Sequence, residues 1–411
     1  MAVSRRVAIL AATLAVKSFM MKILMLSDVY FPRVNGVSTS IESFRGALER
    51  QGHQVNLICP RYTNHDEAGP LIWRIDSRGV LGDPEDRMMR YRAIMALATR
   101  LQANEFDLIH IHTPFVAHYA GLALSKRLGI PVIGTYHTLF EEYLHHYVPW
   151  LPRRCLRFAA RRFSVHQCQQ LATVVAPSSA MAAALNAYGV RTSVATIATG
   201  LSLTRFTTQT VGAHFRERHG LPKHGRLLLF VGRAAHEKNI GFLIDMLPEV
   251  HRHHPETHLV VVGEGPALAS LKQQAEYAGL LNSVHFLGYL PRDGALQDAY
   301  RAADVFVFAS RTETQGLVLL EALALGTPVV STAIMGTQDV LQQDEGCLIA
   351  EEHRSHFAEQ INRLLDDDAL RTRLAQRGRI YAQRWNEDTQ AEMLVSLYHS
   401  LCPNAWGSSP A

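Results

Sequence analysis

Twelve short apolar runs, alternating with longer helical patterns from end to end, limit what this chain can fold into more than any other feature. The first six are 22–28 (KILMLSD), 54–60 (QVNLICP), 108–113 (LIHIHT), 131–137 (PVIGTYH), 173–177 (TVVAP) and 193–199 (SVATIAT). The second six are 227–232 (LLLFVG), 258–263 (HLVVVG), 284–288 (VHFLG), 305–310 (VFVFAS), 328–332 (PVVST) and 347–350 (CLIA). Strands that are apolar on both faces need cover on both faces, and helices joining them supply it as parallel sheets. Two series therefore predict an α/β chain of two similar, doubly wound, Rossmann-like domains. At 411 residues the chain is also too long for one ordinary core. The break is expected near "ATGLSLTRFTTQT", 198–210, which is rich in Thr and has no strong period.

Composition narrows the class. Hydrophobic residues make up 47% and charged residues 19%, the balance of a folded protein. No apolar run reaches the roughly 18 to 20 residues that span a bilayer. The five cysteines, Cys59, Cys155, Cys168, Cys347 and Cys402, are scattered, and none has zinc-ligand spacing. Reduced thiols in a cytoplasmic protein are expected. In residues 1–20, Arg5 and Arg6 precede an apolar run from Val7 to Val16, which mimics a signal peptide. Because "MKILMLSD" from Met21 is already a complete first strand, an overlong start or an amphipathic tail is the expectation.

The net charge of +4 conceals an asymmetry. Residues 1–205 hold 23 Lys and Arg against 13 Asp and Glu, and the remainder 18 against 24. No acid occurs between Glu142 and Glu217. That gap contains "YVPWLPRRCLRFAARRFSVHQC", in which Arg153, Arg154, Arg157, Arg161 and Arg162 interleave with Trp150, Leu151, Leu156, Phe158 and Phe163. On a helix, Arg154, Arg157 and Arg161 share one face. Such a face suits an anionic membrane surface. Snorkelling arginines on a solvated helix give the same pattern, and so does a nucleic-acid surface.

In open parallel sheets, ligands bind at the C-terminal strand ends. Asp28, His112, His137, Arg233, Glu264 and Glu313 each end or follow an expected strand. Two of the chain's acids, Glu313 and Glu321, stand out in the nearly apolar stretch "RTETQGLVLLEALALGTPVV", 311–330. A buried carboxylate needs a charged or hydrogen-bonding partner. Gly316 to Leu325 reads as a helix stopped by Gly326 and Pro328. The backbone N–H groups of Gly316, Leu317 and Val318 at its start would attract phosphate, with the two carboxylates placed for sugar hydroxyls. Local pairing of Glu321, with Glu313 a plain loop residue, fits the same spacing. Arg233 and Lys238 in "FVGRAAHEKNIGFLI", 230–244, follow another strand and could neutralise two phosphates; solvent exposure is the ordinary alternative.

With these residues in view, the chain resembles the retaining nucleotide-sugar glycosyltransferases of the GT-B fold, in which two Rossmann-like domains face one another across a cleft. The resemblance rests on Glu313 and Glu321 with seven residues between them, and on "GRAAHEKN" at 232–239, "ATGLSLTRF" at 198–206, "VGEGP" at 262–266 and "SDVYFPRVNGVSTSI" at 27–41. It covers about Met21 to Leu401. The segment 199–203 lacks the acid that often follows its glycine, so no role is carried over there.

The resemblance implies an acceptor-binding domain over 21–203, a nucleotide-sugar domain over 204–385, and a last helix, 386–402, that crosses back to the first. It implies that Gly36 lets the backbone approach the donor diphosphate and that Arg233 and Lys238 bind it. Glu313 and the amides of Gln315 to Val318 (with Gly316 and Leu317) would hold sugar and phosphate. Glu321 would bind the ribose, and His137 would lie near the anomeric centre. Asp28 is included among the substrate contacts as a strand-end acid. The family's reaction needs no enzymatic nucleophile: the acceptor attacks on the face that the diphosphate leaves. No Asp-x-Asp motif is placed to hold magnesium between the phosphates, since the run Asp366 to Asp368 sits in a late helical loop far from any strand end, so neither a metal nor another cofactor is expected.

"RTETQGLVLLEA", with Thr312 and Gln315, and "YFPRVNGVSTSI" look most like the subgroup that glycosylates diacylglycerol. The expected donor is UDP-glucose, the expected acceptor a lipid, and the expected location the inner face of the membrane. A mannosyl- or glucosyltransferase of polysaccharide or lipopolysaccharide assembly is the rival. A sugar-nucleotide epimerase shares the fold, and a binding-only protein is the remaining class. Nucleic acid is not expected as a partner.

Overall fold

The structure is a computed structural model that describes residues 20–62, 69, 71–80, 83–102, 104–139, 152–206, 214–292 and 294–402. The expectation for residues 1–20 lies almost wholly outside these, as do Trp150 and Leu151 of the basic segment.

Fifteen strands are described. They are β1 (Lys22–Leu26), β2 (Gln54–Pro60), β3 (Ile72–Ile75), β4 (Ser77–Val80), β5 (Asp83–Met89), β6 (Leu108–Ile111), β7 (Val132–Thr135), β8 (Thr173–Ala176) and β9 (Val194–Thr196). Then follow β10 (Arg226–Val231), β11 (Thr257–Val262), β12 (Val284–Gly288), β13 (Val305–Phe308), β14 (Val329–Ser331) and β15 (Cys347–Ile349). They form a sheet in the order β3-β2-β1-β6-β7-β8-β9, a second in the order β12-β11-β10-β13-β14-β15, and a small antiparallel β4-β5 pair. In each large sheet the first strand of its series is central, and the order reverses beside it, as in doubly wound folds. Ile23 of β1 lies in register between Val55 and Leu108, and Leu228 of β10 between Leu259 and Val305. Both central strands are buried almost throughout, which is why their sequences do not alternate.

All twelve expected strands are present. β3, β4 and β5 were not expected. β3 is a four-residue edge strand interrupted by Arg74, and β5 reads DPEDRMM. Edge strands carry charge and little apolar pattern, so their signal in sequence is weak.

By density of contacts the chain divides into Met1–Gly134 with Ala391–Ala411, and Thr135–Gln390. In the first unit the final helix, Glu387–Leu401, is held by Tyr398, whose buried hydroxyl lies 2.7 Å from His110 Nδ1. In the second, the core is built around Phe230, Phe306 and Phe308, whose rings stack at centroid distances of 5.8 and 6.2 Å.

Candidate functional site

The chemistry-bearing residues of the second unit gather on loops at the C-terminal ends of its parallel strands. β10 and β11 end side by side: Gly232 N–H donates to Val262 O at 3.0 Å. Gly263 has φ +136°, and a Cβ there would stand 1.9 Å from Gly232 O. The first glycine of "VGEGP" is therefore required by the backbone that passes over it, the backbone that leads into Arg233. The chain then makes a short turn, His236–Lys238, followed by Asn239 in the left-handed region at φ 56°.

Lys238 meets Glu313. Its Nζ donates to Glu313 Oε2 at 2.5 Å, with the two side chains 14% and 20% exposed. The Glu313 loop is packed from behind by Gly336, whose N–H donates to Glu313 O at 2.9 Å. A Cβ at Gly336 would come within 1.9 Å of Thr314 O. Gly316 then turns the chain with φ +96° into the helix Leu317–Leu325, and no side chain caps the start of that helix. Gln315 and Gly316 are buried, while Leu317 and Val318 are half-buried. The helix thus starts just beyond the carboxylate that Lys238 holds, with no side-chain cap on its N–H groups.

Glu321 is fully buried in that helix. Both of its oxygens have partners: Arg292 Nη1 donates to Oε1 at 2.5 Å and Tyr300 Oη to Oε2 at 2.9 Å. The carboxylate raises the Arg292 pKa, and burial first, then the carboxylate, holds the Tyr300 hydroxyl well above its usual range. Neither partner was named from the sequence. Arg292 had a signal, since it follows β12 as Arg233 follows β10. Tyr300 had none, being one apolar position on the helix Ala295–Ala302.

Gln315 has a further role that the sequence did not suggest. Thr199 N–H donates to its Oε1 at 2.8 Å, and its Nε2 donates to Thr199 O at 2.7 Å. The Glu313 loop is thereby tied to the "ATGL" segment.

His137 follows β7 and is half-buried. Burial lowers its pKa to about 4, so the imidazole is neutral at pH 7.

In the first unit, Asp28 is 6% exposed. Its Oδ2 accepts from Thr113 Oγ1 at 2.8 Å and from Ala117 N–H at 3.0 Å, which anchors the start of the helix Val116–Leu128. Oδ1 is buried without a hydrogen bond, and burial raises the pKa to about 6. Gly36 opens the helix Gly36–Arg50, and a Cβ there would meet nothing within 4 Å. Local packing thus does not explain this glycine.

The basic segment forms the helix Arg153–Cys168. Arg154, Arg157, Arg161 and Arg162 are exposed, and Phe158 is 69% exposed beside them. The Arg161 guanidinium lies over the Tyr188 ring, 5.1 Å from its centroid. Among the described residues no helix is long and apolar enough to cross a membrane, and no group of three or more His, Cys, Asp and Glu gathers in a metal-binding arrangement.

Two parallel sheets with charged side chains gathered at strand ends define a doubly wound α/β class of protein. The sequence profile of the glycosyl transferases group 1 matches residues 213–381, and that of glycosyltransferase family 4 matches residues 34–205. An alpha-monoglucosyldiacylglycerol synthase of Streptococcus pneumoniae is 34% identical over 320 residues, 76% of this chain and 71% of the relative. A protein of the same description from Acholeplasma laidlawii is 28% identical over 323 residues, 75% of this chain and 80% of the relative. The chain belongs to the group 1 glycosyltransferases. Its fold is GT-B: it matches a sucrose-phosphate synthase from Thermosynechococcus elongatus with a TM-score of 0.75 at 22% identity, covering 93% of this chain and 100% of that one. Anabaena HepE, solved in complex with UDP and glucose, matches with a TM-score of 0.74 at 20% identity over the same shares.

Proposed function

We propose that the protein transfers glucose, with retention, from UDP-glucose to a lipid acceptor such as diacylglycerol at an anionic membrane surface. The observation that carries the donor half is the Lys238–Glu313 pair beside the uncapped start of the helix Leu317–Leu325. Developing negative charge on a leaving diphosphate is met there by Lys238, Arg233 and oriented N–H groups. Charge stabilisation of this kind needs no metal. Glu313 orients hydroxyls of the transferred sugar, and Gln315 to Val318 present backbone amides to sugar and phosphate. Glu321 takes the ribose. His137, neutral at pH 7, exchanges hydrogen bonds with the sugar without adding charge. The leaving phosphate accepts the acceptor's proton as attack occurs on the same face.

The lipid half is supported by the monoglucosyldiacylglycerol synthases among the relatives, and by the exposed Arg154, Arg157 and Arg162 beside Phe158 on one helix. Relatives that are GDP-mannose-dependent alpha-mannosyltransferases, such as one from Mycobacterium tuberculosis at 28% identity over 334 residues, make mannosyl transfer the rival.

The test is a donor and acceptor screen in excess EDTA. The full chain is incubated with UDP-glucose, UDP-galactose, UDP-N-acetylglucosamine or GDP-mannose, with and without diacylglycerol in anionic micelles. Nucleotide release and product anomeric configuration are followed. Diacylglycerol-dependent release of UDP from UDP-glucose, with an α-glucoside formed, is the expected result. Release from GDP-mannose alone, or an inverted product, would overturn it.

A further inference from the structure

The two partners of Glu321 differ in kind. Tyr300 is wholly buried, and the Glu321 side chain is 1% exposed, whereas the Arg292 side chain is 30% exposed. Arg292 is thus the partner on the solvent side of this carboxylate, and Tyr300 the partner on the core side. A buried glutamate with no cation would be strongly disfavoured in its charged form. Arg292 satisfies that need through Oε1 alone. It sits on the short turn between β12 and the helix Ala295–Ala302, at the end of a long side chain that can withdraw without moving the sheet. A ligand that reaches Oε1 from solvent meets the guanidinium first.

We propose that Arg292 is an exchangeable cap on Glu321. While the nucleoside site is empty, Arg292 keeps the carboxylate ionised and oriented. When a nucleoside diphosphate arrives, Arg292 yields Oε1 to the ribose diol, and Tyr300 holds Oε2 throughout. This rests on Glu321 being the ribose contact. The apparent Kd is then the intrinsic Kd divided by the uncapped fraction, because only the uncapped state accepts the diol.

The test uses UDP and 2′,3′-dideoxy-UDP, with affinities measured by calorimetry on the full chain. Arg292→Lys keeps a cation near Glu321 but shortens its reach to Oε1, which loosens the cap. UDP should bind about tenfold tighter, the order expected when a competent state is a tenth populated. The dideoxy analogue, which does not compete for Oε1, should be unaffected, so the ratio of the two affinities should widen by the same factor. An unchanged ratio, or weaker UDP binding, would overturn the cap. Glu321→Gln tests the underlying reading separately: a wild-type ratio in that variant would mean that Glu321 does not read the ribose at all. Should Arg292→Lys fold poorly, crystal structures of the wild type with and without UDP decide. An Arg292–Glu321 bond present in the free protein and broken with UDP supports the proposal; one intact in both refutes it.

Discussion

Lys238 Nζ and Glu313 Oε2 are 2.5 Å apart on two loops that follow β10 and β13, strands adjacent in the sheet. Each therefore holds the other in place. Lys238→Ala and Glu313→Ala are each expected to lower transfer by about 10²–10³-fold, the usual range for losing one charge-stabilising group. Because both side chains are partly solvated, the fold should tolerate the loss, with a melting temperature lowered by only a few degrees. Steady-state kinetics beside thermal unfolding checks this; a collapse in stability with no specific kinetic defect would count against the assignment.

Gly36 and Gly336 make a contrasting pair. A Cβ at Gly336 would strike Thr314 O, so Gly336→Ala should displace the Glu313 loop and lower both stability and transfer. A Cβ at Gly36 meets nothing. Gly36→Ala should leave the melting temperature unchanged, and a raised KM for the donor would then reflect a ligand brought close to that backbone. An unchanged KM would remove the role.

Gln315 spends its whole amide on the backbone of Thr199. Gln315→Leu removes both hydrogen bonds to this buried backbone, at about 0.5–1.5 kcal/mol each. Thermal unfolding should show the loss, and kcat should fall with it because the same residue sets the Glu313 loop. A stable variant of full activity would show that the tie is dispensable.

Two groups pull pH stability in opposite directions. His137 has a folded pKa near 4, below its ordinary 6.5, so its contribution is full above pH 6.5 and is lost as pH falls toward 4. Asp28 has a folded pKa near 6, above 3.8, so stability is lost as pH rises from about 4 to 6. The melting-temperature difference between Asp28→Asn and wild type should accordingly move in favour of the variant as pH rises over that window. That for His137→Asn should move in favour of its variant as pH falls from 6.5. Differences independent of pH would contradict both assignments.

Arg154, Arg157 and Arg162 are the exposed cations to reverse, since Arg161 also stacks on Tyr188. Replacing the three by Glu should weaken binding to vesicles containing anionic lipid by at least about 10²-fold, at about 1 kcal/mol per arginine removed from the surface. Binding to neutral vesicles should change little. Sedimentation with vesicles of the two compositions makes the comparison, and equal losses on both would point to unfolding instead.

Burial on both faces of a parallel strand is written locally, as an unbroken run of Val, Ile and Leu between breakers. For that reason all twelve expected strands, and the helix after Gly316, could be read from the chain alone. The short charged strands β3 to β5 could not, because an edge needs little apolar pattern. The sequence also placed Arg233, Lys238 and Glu313 just beyond strand ends and Glu321 inside the helix that follows. What those residues touch was decided by the tertiary structure. Glu321 meets Arg292 and Tyr300, 29 and 21 positions away, and Gln315 meets Thr199, 116 positions away. Periodicity records which face of an element is buried; it carries no record of which distant loop supplies the counter-charge. Only folding brings the turn after β12 over the carboxylate, and a buried acid takes whichever cation and hydroxyl the packed backbone delivers.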